Sequence, residues 1–359
     1  MYKKIFMGIA AVAALTLVSC SSDDLNSLSD NSSKNEAISF DGYLGRSAVA
    51  VNGSRGSEVK IGDLQNSAKG FGVFGYHNTT DHSSETGQPF NANLFNNQQV
   101  TYKNSKWTYS PLKFWPSDGH IDFLAYAPYV ENKELKENSK LDFTVSSTIA
   151  NQKDLLWANA ADKTKENISS TENKVKFQFA HALSRLGYTV KLNDDYTGTT
   201  ITLKKITLAG STDGTKEAFY KNGTIDLSYT SSTTSPTASL WTISASEEKL
   251  KFDWFSSSQV LSTTVTKNSD TEYLFVIPQD FSQTTPGADE LYVIVEYTIQ
   301  TGSTATMTSK VCKKLDRKFL QGKAYTINLT IGLTPIEFDA DVTEWKTPTD
   351  GAIDINSWE

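Results

Sequence analysis

Apolar and polar residues alternate with a period of two at many places along this 359-residue chain, and that period limits the folds open to it more than any other feature. Val175, Phe177 and Phe179 alternate with Lys176 and Gln178. Leu186, Tyr188, Val190 and Leu192 continue the pattern after a break, and Tyr325, Ile327, Leu329 and Ile331 alternate with Thr326, Asn328 and Thr330. Successive side chains of a strand point to opposite faces, so each stretch reads as a half-buried β-strand. The unbroken run Leu291-Tyr292-Val293-Ile294-Val295 reads as a strand buried on both faces. Thr, Ser, Asn and Gly fill the gaps as turn residues. No long amphipathic helix stands out, although residues 151–165 suit a short one. The expectation is an all-β fold with two packed sheets in each domain.

The N-terminus has a different character. Lys3 and Lys4 precede an apolar stretch from Ile5 to Val18, which reads as a secretory signal, too short and Ala-rich for a membrane span. It ends in Leu17-Val18-Ser19-Cys20, the form of a bacterial lipobox, in which Cys20 is acylated and the chain is cut just before it. Several acyl chains on one residue anchor stably where one is marginal. The Ser-, Asp- and Asn-rich stretch that follows cannot bury a core and reads as a flexible tether. Its Asp23 and Asp24 suit either an export signal of surface lipoproteins or a plain solvated linker. The polar run 162–173 separates two strand-rich regions. The expected layout is a signal peptide at 1–19, a tether at 20–35, an N-terminal β-sandwich domain at 36–172 and a C-terminal one at 173–359.

Few kinds of chemistry remain open. A net charge of −7 without a basic tract argues against nucleic acid, whose affinity comes from Lys and Arg on phosphates. Two cysteines exclude a disulfide framework, and four scattered histidines leave little for a metal site. His181, beside an alternating strand, reads as a structural histidine bonded at a strand end. His120 reads as a turn residue, His77 and His82 as residues of a polar loop, and Cys312 as a buried inert thiol. No nucleophile elbow, phosphate-binding glycine loop or paired-carboxylate motif is visible, so neither enzyme activity nor a cofactor is expected. The aromatic cluster Trp107, Tyr109, Phe114, Trp115, Phe123, Tyr126 and Tyr129 suits a sandwich core better than a sugar-stacking surface.

Three blocks resemble the fimbrillin-like family. The first is Trp107-Thr108-Tyr109-Ser110-Pro111-Leu112-Lys113-Phe114-Trp115-Pro116 with Ile121-Asp122-Phe123-Leu124-Ala125-Tyr126-Ala127-Pro128. The second is Asp154-Leu155-Leu156-Trp157-Ala158 with the stretch from Val175 to Leu186. The third is Gly322-Lys323-Ala324-Tyr325 and the strand it opens, with Ile336-Glu337-Phe338 and Val342-Thr343-Glu344-Trp345. The resemblance implies two transthyretin-like β-sandwich domains in a subunit of type V pili. It implies export to the outer membrane as a lipoprotein and cleavage after an arginine near the first strand. Removal of that strand then opens a groove that a neighbouring subunit's strand fills by β-strand addition.

On that implication, Ala37-Ile38-Ser39-Phe40 is the first strand and either Arg55 or Arg46 is the cleavage site, Arg55 being the more loop-like. The tail carrying Ala352, Ile353, Ile355 and Trp358 has the alternation of a donor strand, or equally of the last strand of its own domain. The expected partners are other fimbrial subunits, the outer membrane through lipid on Cys20, and a host protein or glycan receptor. The rival reading is a surface lipoprotein that never polymerises, either a pilus anchor or tip or a glycan- or host-protein-binding adhesin.

Overall fold

The computed structural model describes residues 36–44, 61–79, 90–168, 173–228, 240–244, 248–269, 272–333 and 337–344. Within them the chain is nearly all β, as its period-two pattern requires. The first ten strands are β1 (Phe40–Leu44), β2 (Phe71–Asn78), β3 (Phe95–Lys103), β4 (Lys106–Thr108), β5 (His120–Ala127), β6 (Lys140–Thr144), β7 (Leu156–Lys163), β8 (Val175–His181), β9 (Ser184–Leu192) and β10 (Thr199–Ala209). One seven-stranded sheet runs β1-β8-β7-β5-β2-β3-β4, and its two end strands curl towards each other.

Two further sheets face each other in the second half. β10 lies between the strands Phe252–Val260 and Tyr292–Thr301, with Met307–Lys314 outermost. The other sheet orders Thr266–Lys267, β9, Lys323–Ile331 and Glu337–Glu344. Leu186, Tyr188 and Val190 of β9 share one core with Leu203, Ile206 and Leu208 of β10, and with Tyr325, Ile327 and Leu329. Val293, Ile294 and Val295 are all buried, as their unbroken apolar run demands.

The middle of the seven-stranded sheet has no solvent face. Phe123, Ala125 and Ala127 of β5 and Leu156, Ala158 and Ala160 of β7 enter a first core. Leu124 and Tyr126, with Leu155 and Trp157, enter the core shared with the second half. This two-sided burial explains the lack of alternation in both stretches. It also corrects the helix expected at 151–165: a 3-10 turn at Ile149–Asn151 leads into β7 instead. Only an extended chain can send Leu156 and Trp157 into opposite cores.

Pairing across the halves is direct. β6 joins Asn222–Asp226, with Leu141 opposite Ile225. Asn159 Nδ2 donates to Leu227 O (3.0 Å), and Trp241 Nε1 donates to Ala182 O (2.8 Å). β8 lies beyond the expected boundary at 172/173, yet it pairs with β1 and β7, so its residues belong to the first sheet. Gln152, 2% exposed, accepts from Phe275 N–H (2.8 Å) and donates to Ser146 O (3.1 Å). Gln152→Leu keeps the volume and removes that acceptor. A loss of about 2 kcal/mol is expected, read as a lower urea midpoint with a single transition retained. An unchanged midpoint would show that the seam does not depend on this residue.

Candidate functional site

The segment 36–44 is the most unusual element of the fold, because its hold on the body comes from two different neighbours. At its start it is antiparallel to the chain beyond β4: Ala37 bridges Phe114, Ile38 N–H donates to Lys113 O (2.8 Å), and Trp115 N–H donates to Glu36 O (3.0 Å). Further on it turns to β8. Val175 N–H donates to Ser39 O (2.8 Å), and β1 then runs parallel to β8, from Phe40 opposite Val175 to Leu44 opposite Phe179. The segment therefore fills a slot between β8 and residues 113–115.

Its side chains follow the strand period. Ile38 and Phe40 are buried, whereas Tyr43 is exposed. The Phe40 ring lies 5.4 Å from Phe95 and from Tyr109, 5.5 Å from Phe123 and 5.6 Å from Phe177, centroid to centroid. Burying Ile38 and Phe40 contributes roughly 2 kcal/mol each. Gly42 passes so close to the Phe179 ring that a Cβ there would sit 3.2 Å from it. Polar contacts close the rim: Asn173 Nδ2 donates to Glu36 Oε1 (2.8 Å), Ser39 Oγ donates to Asn173 O (2.7 Å), and Lys165 Nζ is 3.4 Å from Glu36 Oε2.

The stretch Trp107–Pro116 acquires a physical role here. Trp107 and Trp115 are buried and anchor it, while its backbone at Lys113 and Trp115 grips the first segment. The Tyr109 hydroxyl donates to Ile38 O (2.7 Å) and lies 3.3 Å from Lys113 O, so one phenol ties both partners. Burial pushes the Tyr109 phenol above its ordinary pKa. Sequence reasoning found this motif but not its target, because the target lies some 70 residues away in the chain.

Other residues singled out from sequence fall in several places. Cys20, Arg46, Arg55, Ala352, Ile353, Ile355, Trp358 and His82 lie outside the described residues. Most of the aromatic cluster is core: Trp107, Trp115, Phe123 and Tyr126 are buried, so Trp115 cannot stack on a sugar, while Phe114 is 49% exposed. His181 ends β8, with Nδ1 2.7 Å from Asp154 Oδ2. His120 is not a turn residue but the buried first residue of β5. His77 belongs to β2 rather than to a loop, with Nε2 3.0 Å from Asp118 O. Cys312 sits half-buried in Met307–Lys314 rather than fully buried, and burial raises its thiol pKa. Among the described residues no three His, Cys, Asp or Glu side chains converge as a metal site would need.

The model of the fimbrillin-like family matches residues 59–345. The fimbrium subunit Fim1C of Phocaeicola vulgatus is 27% identical, the match covering 97% of this chain and 98% of that protein. A crystal structure of a fimbrial protein from Bacteroides vulgatus superposes with a TM-score of 0.63 at 23% identity, covering 87% of this chain and 100% of that one.

Tyr109→Phe should loosen the first segment specifically. A cost of about 1 kcal/mol is expected, together with faster amide exchange at 36–44 than elsewhere. Because its folded pKa is raised, the Tyr109 hydroxyl contributes fully below the unfolded value near 10, and its contribution is lost as pH rises above that. The variant should therefore show a flatter decline of stability above about pH 10 than the parent. Uniform exchange changes across both halves would overturn this assignment.

Proposed function

The chain belongs to the fimbrillin-like family, and from that premise we propose that it is a structural subunit of an adhesive cell-surface fimbrium, joined to its neighbours by β-strand addition. The observation that carries this reading is the slot occupied by residues 36–44. A strand in that slot offers main-chain bonding on both sides and alternating apolar positions at Ile38 and Phe40. Both are what β-strand addition uses, the first for affinity and the second for register.

The sequence of events follows from chain order. The precursor is lipidated at Cys20 and carried to the outer membrane. A surface protease cuts after Arg55 or Arg46, both in the stretch 45–60 that directly follows β1. The cut leaves 36–44 held by non-covalent contacts alone. A neighbour's strand with period-two alternation, such as the tail with Ile353 and Ile355 flanked by Ala352 and Trp358, then takes the slot.

The chain has four arginines, and the two with described positions are poor targets. Arg185 lies in β9 between Phe275 and Ala324 on its two neighbouring strands, and its guanidinium stacks 4.5 Å over Tyr273. The Arg317 carbonyl accepts from Phe281 N–H (2.8 Å). Proteases need an extended, accessible backbone, so this favours Arg46 and Arg55 by contrast. We read the body as two transthyretin-like sandwich modules meeting at the turn between β8 and β9. The role is structural rather than catalytic.

The test is limited digestion of the folded full chain with an arginine-specific protease. Mass analysis should find a cut after Arg46 or Arg55 with Arg185 and Arg317 intact, and the cut protein should form oligomers as its concentration rises. Phe40→Ala removes about 3 to 5 kcal/mol of packing and should speed both release of the segment and assembly. A cut protein that stays monomeric would sink strand addition. Protein recovered from the cell surface still starting at acylated Cys20 would favour an anchor or a non-polymerising lipoprotein.

A further inference from the structure

The strand that fills the first segment's slot runs against the pattern of its sheet. Among the described residues β1 is parallel to β8, whereas β8 with β7, β7 with β5, β5 with β2, β2 with β3 and β3 with β4 are all antiparallel. A parallel pair has slanted hydrogen bonds and is slightly less stable per residue than an antiparallel one. A strand entering the slot in the opposite direction gains the better pairing along the five residue pairs with β8. On its other side the reversal touches only the short contact at residues 113–115, where Ala37 bridges Phe114.

The slot also sets a side-chain pattern. Ile38, Phe40 and Gly42 are buried, and Leu44 packs on the same core. The Phe40 position is wide, walled by Phe95, Tyr109, Phe123 and Phe177. The Gly42 position is narrow: a Cβ there would lie 3.2 Å from the Phe179 ring and 3.4 Å from the Phe71 ring. The occupant that fits without displacing these rings has two apolar residues spaced by two, then a glycine two residues further along the slot. The tail's apolar pair is Ile353 and Ile355. Placed in the direction of residues 36–44, it brings Ser357 to the Gly42 position and Glu359 to that of Leu44. Placed in reverse, Ile355 replaces Ile38, Ile353 replaces Phe40, Gly351 falls on Gly42 and Thr349 on Leu44. Strand pairing and glycine spacing thus select the same direction.

Resting on the strand-addition reading, we infer that the slot takes the tail of a second copy of this chain in the direction opposite to residues 36–44, with Gly351 against the Phe71 and Phe179 rings, Ile353 in the Phe40 pocket and Ile355 in that of Ile38. Phe71 and Phe179 are then the specificity-determining residues of the acceptor. They accommodate the glycine of the reversed tail and crowd Ser357 of the forward one. Main-chain pairing supplies affinity, and the narrow position supplies register and direction.

The test is cysteine cross-linking between copies of the full chain, cleaved with an arginine-specific protease, in a Cys312→Ser background. Asp41 stands opposite Lys176, which is exposed. The reversed tail brings Ala352 to the place of Asp41, and the forward tail brings Asn356 there. Paired strands hold opposite residues at the Cα separation a disulfide requires. In mixtures of single variants, Lys176→Cys should form an intersubunit disulfide with Ala352→Cys and not with Asn356→Cys. Gly351→Val should raise the concentration for half-assembly at least about tenfold, and Ser357→Val should change it little. The inference is overturned, with strand addition left standing, if assembled copies link through Asn356→Cys or through neither variant, or if Gly351→Val assembles as the parent does. Cleaved protein that stays monomeric overturns both this inference and the reading it rests on.

Discussion

The rest of the architecture depends on the burial of both faces of the sheet formed by β2, β5 and β7. In β5 Phe123 and Leu124 are neighbours in sequence but serve different cores, and in β7 Leu156 and Trp157 do the same. Two-sided burial removes water as a partner for the main chain, so the buried main-chain groups there must find partners within the protein. It also binds the halves of the chain into one packed object. The second core takes Tyr126 and Trp157 from one half and Tyr188, Trp254 and Tyr325 from the other. The seam hydrogen bonds of Gln152, Asn159 and Trp241 then fix orientation within a contact whose main driving force is apolar.

Against that background the first segment stands apart. Residues 36–44 contribute two large buried side chains and one edge strand, where the middle strands are buried on both sides. Its strand β1 is the end of the sheet and pairs there with β8, while Ile38 and Phe40 reach into the first core. The slot that the segment fills is lined by Phe95, Phe123 and Phe177, which meet the Phe40 ring. The body is held by two-sided burial, and the segment by a few rings and hydrogen bonds.

Much of this was legible in the residues. The alternation of Val175, Phe177 and Phe179 marked β8, and the solid run to Val295 marked a strand with no solvent face. The stretch 151–165 misled because two-sided burial erases the period that separates a strand from a buried helix. Leu155, Leu156 and Trp157 in a row satisfy both patterns. His120 misled for a related reason: the Ser-Asp-Gly turn is where expected, but the strand begins one residue earlier than its apolar pattern suggests.

The sequence by itself determined the all-β class, the family and the candidates for lipidation, cleavage and donation, because these depend on local period and on contiguous motifs. Only the tertiary structure decided that Tyr109 holds Ile38, that β6 pairs with Asn222–Asp226, and that β8 closes the first sheet. Period two states which face of a strand is apolar; it does not state which of several apolar faces it will meet. That choice is made by packing among segments far apart in the chain, where shape and main-chain pairing act together.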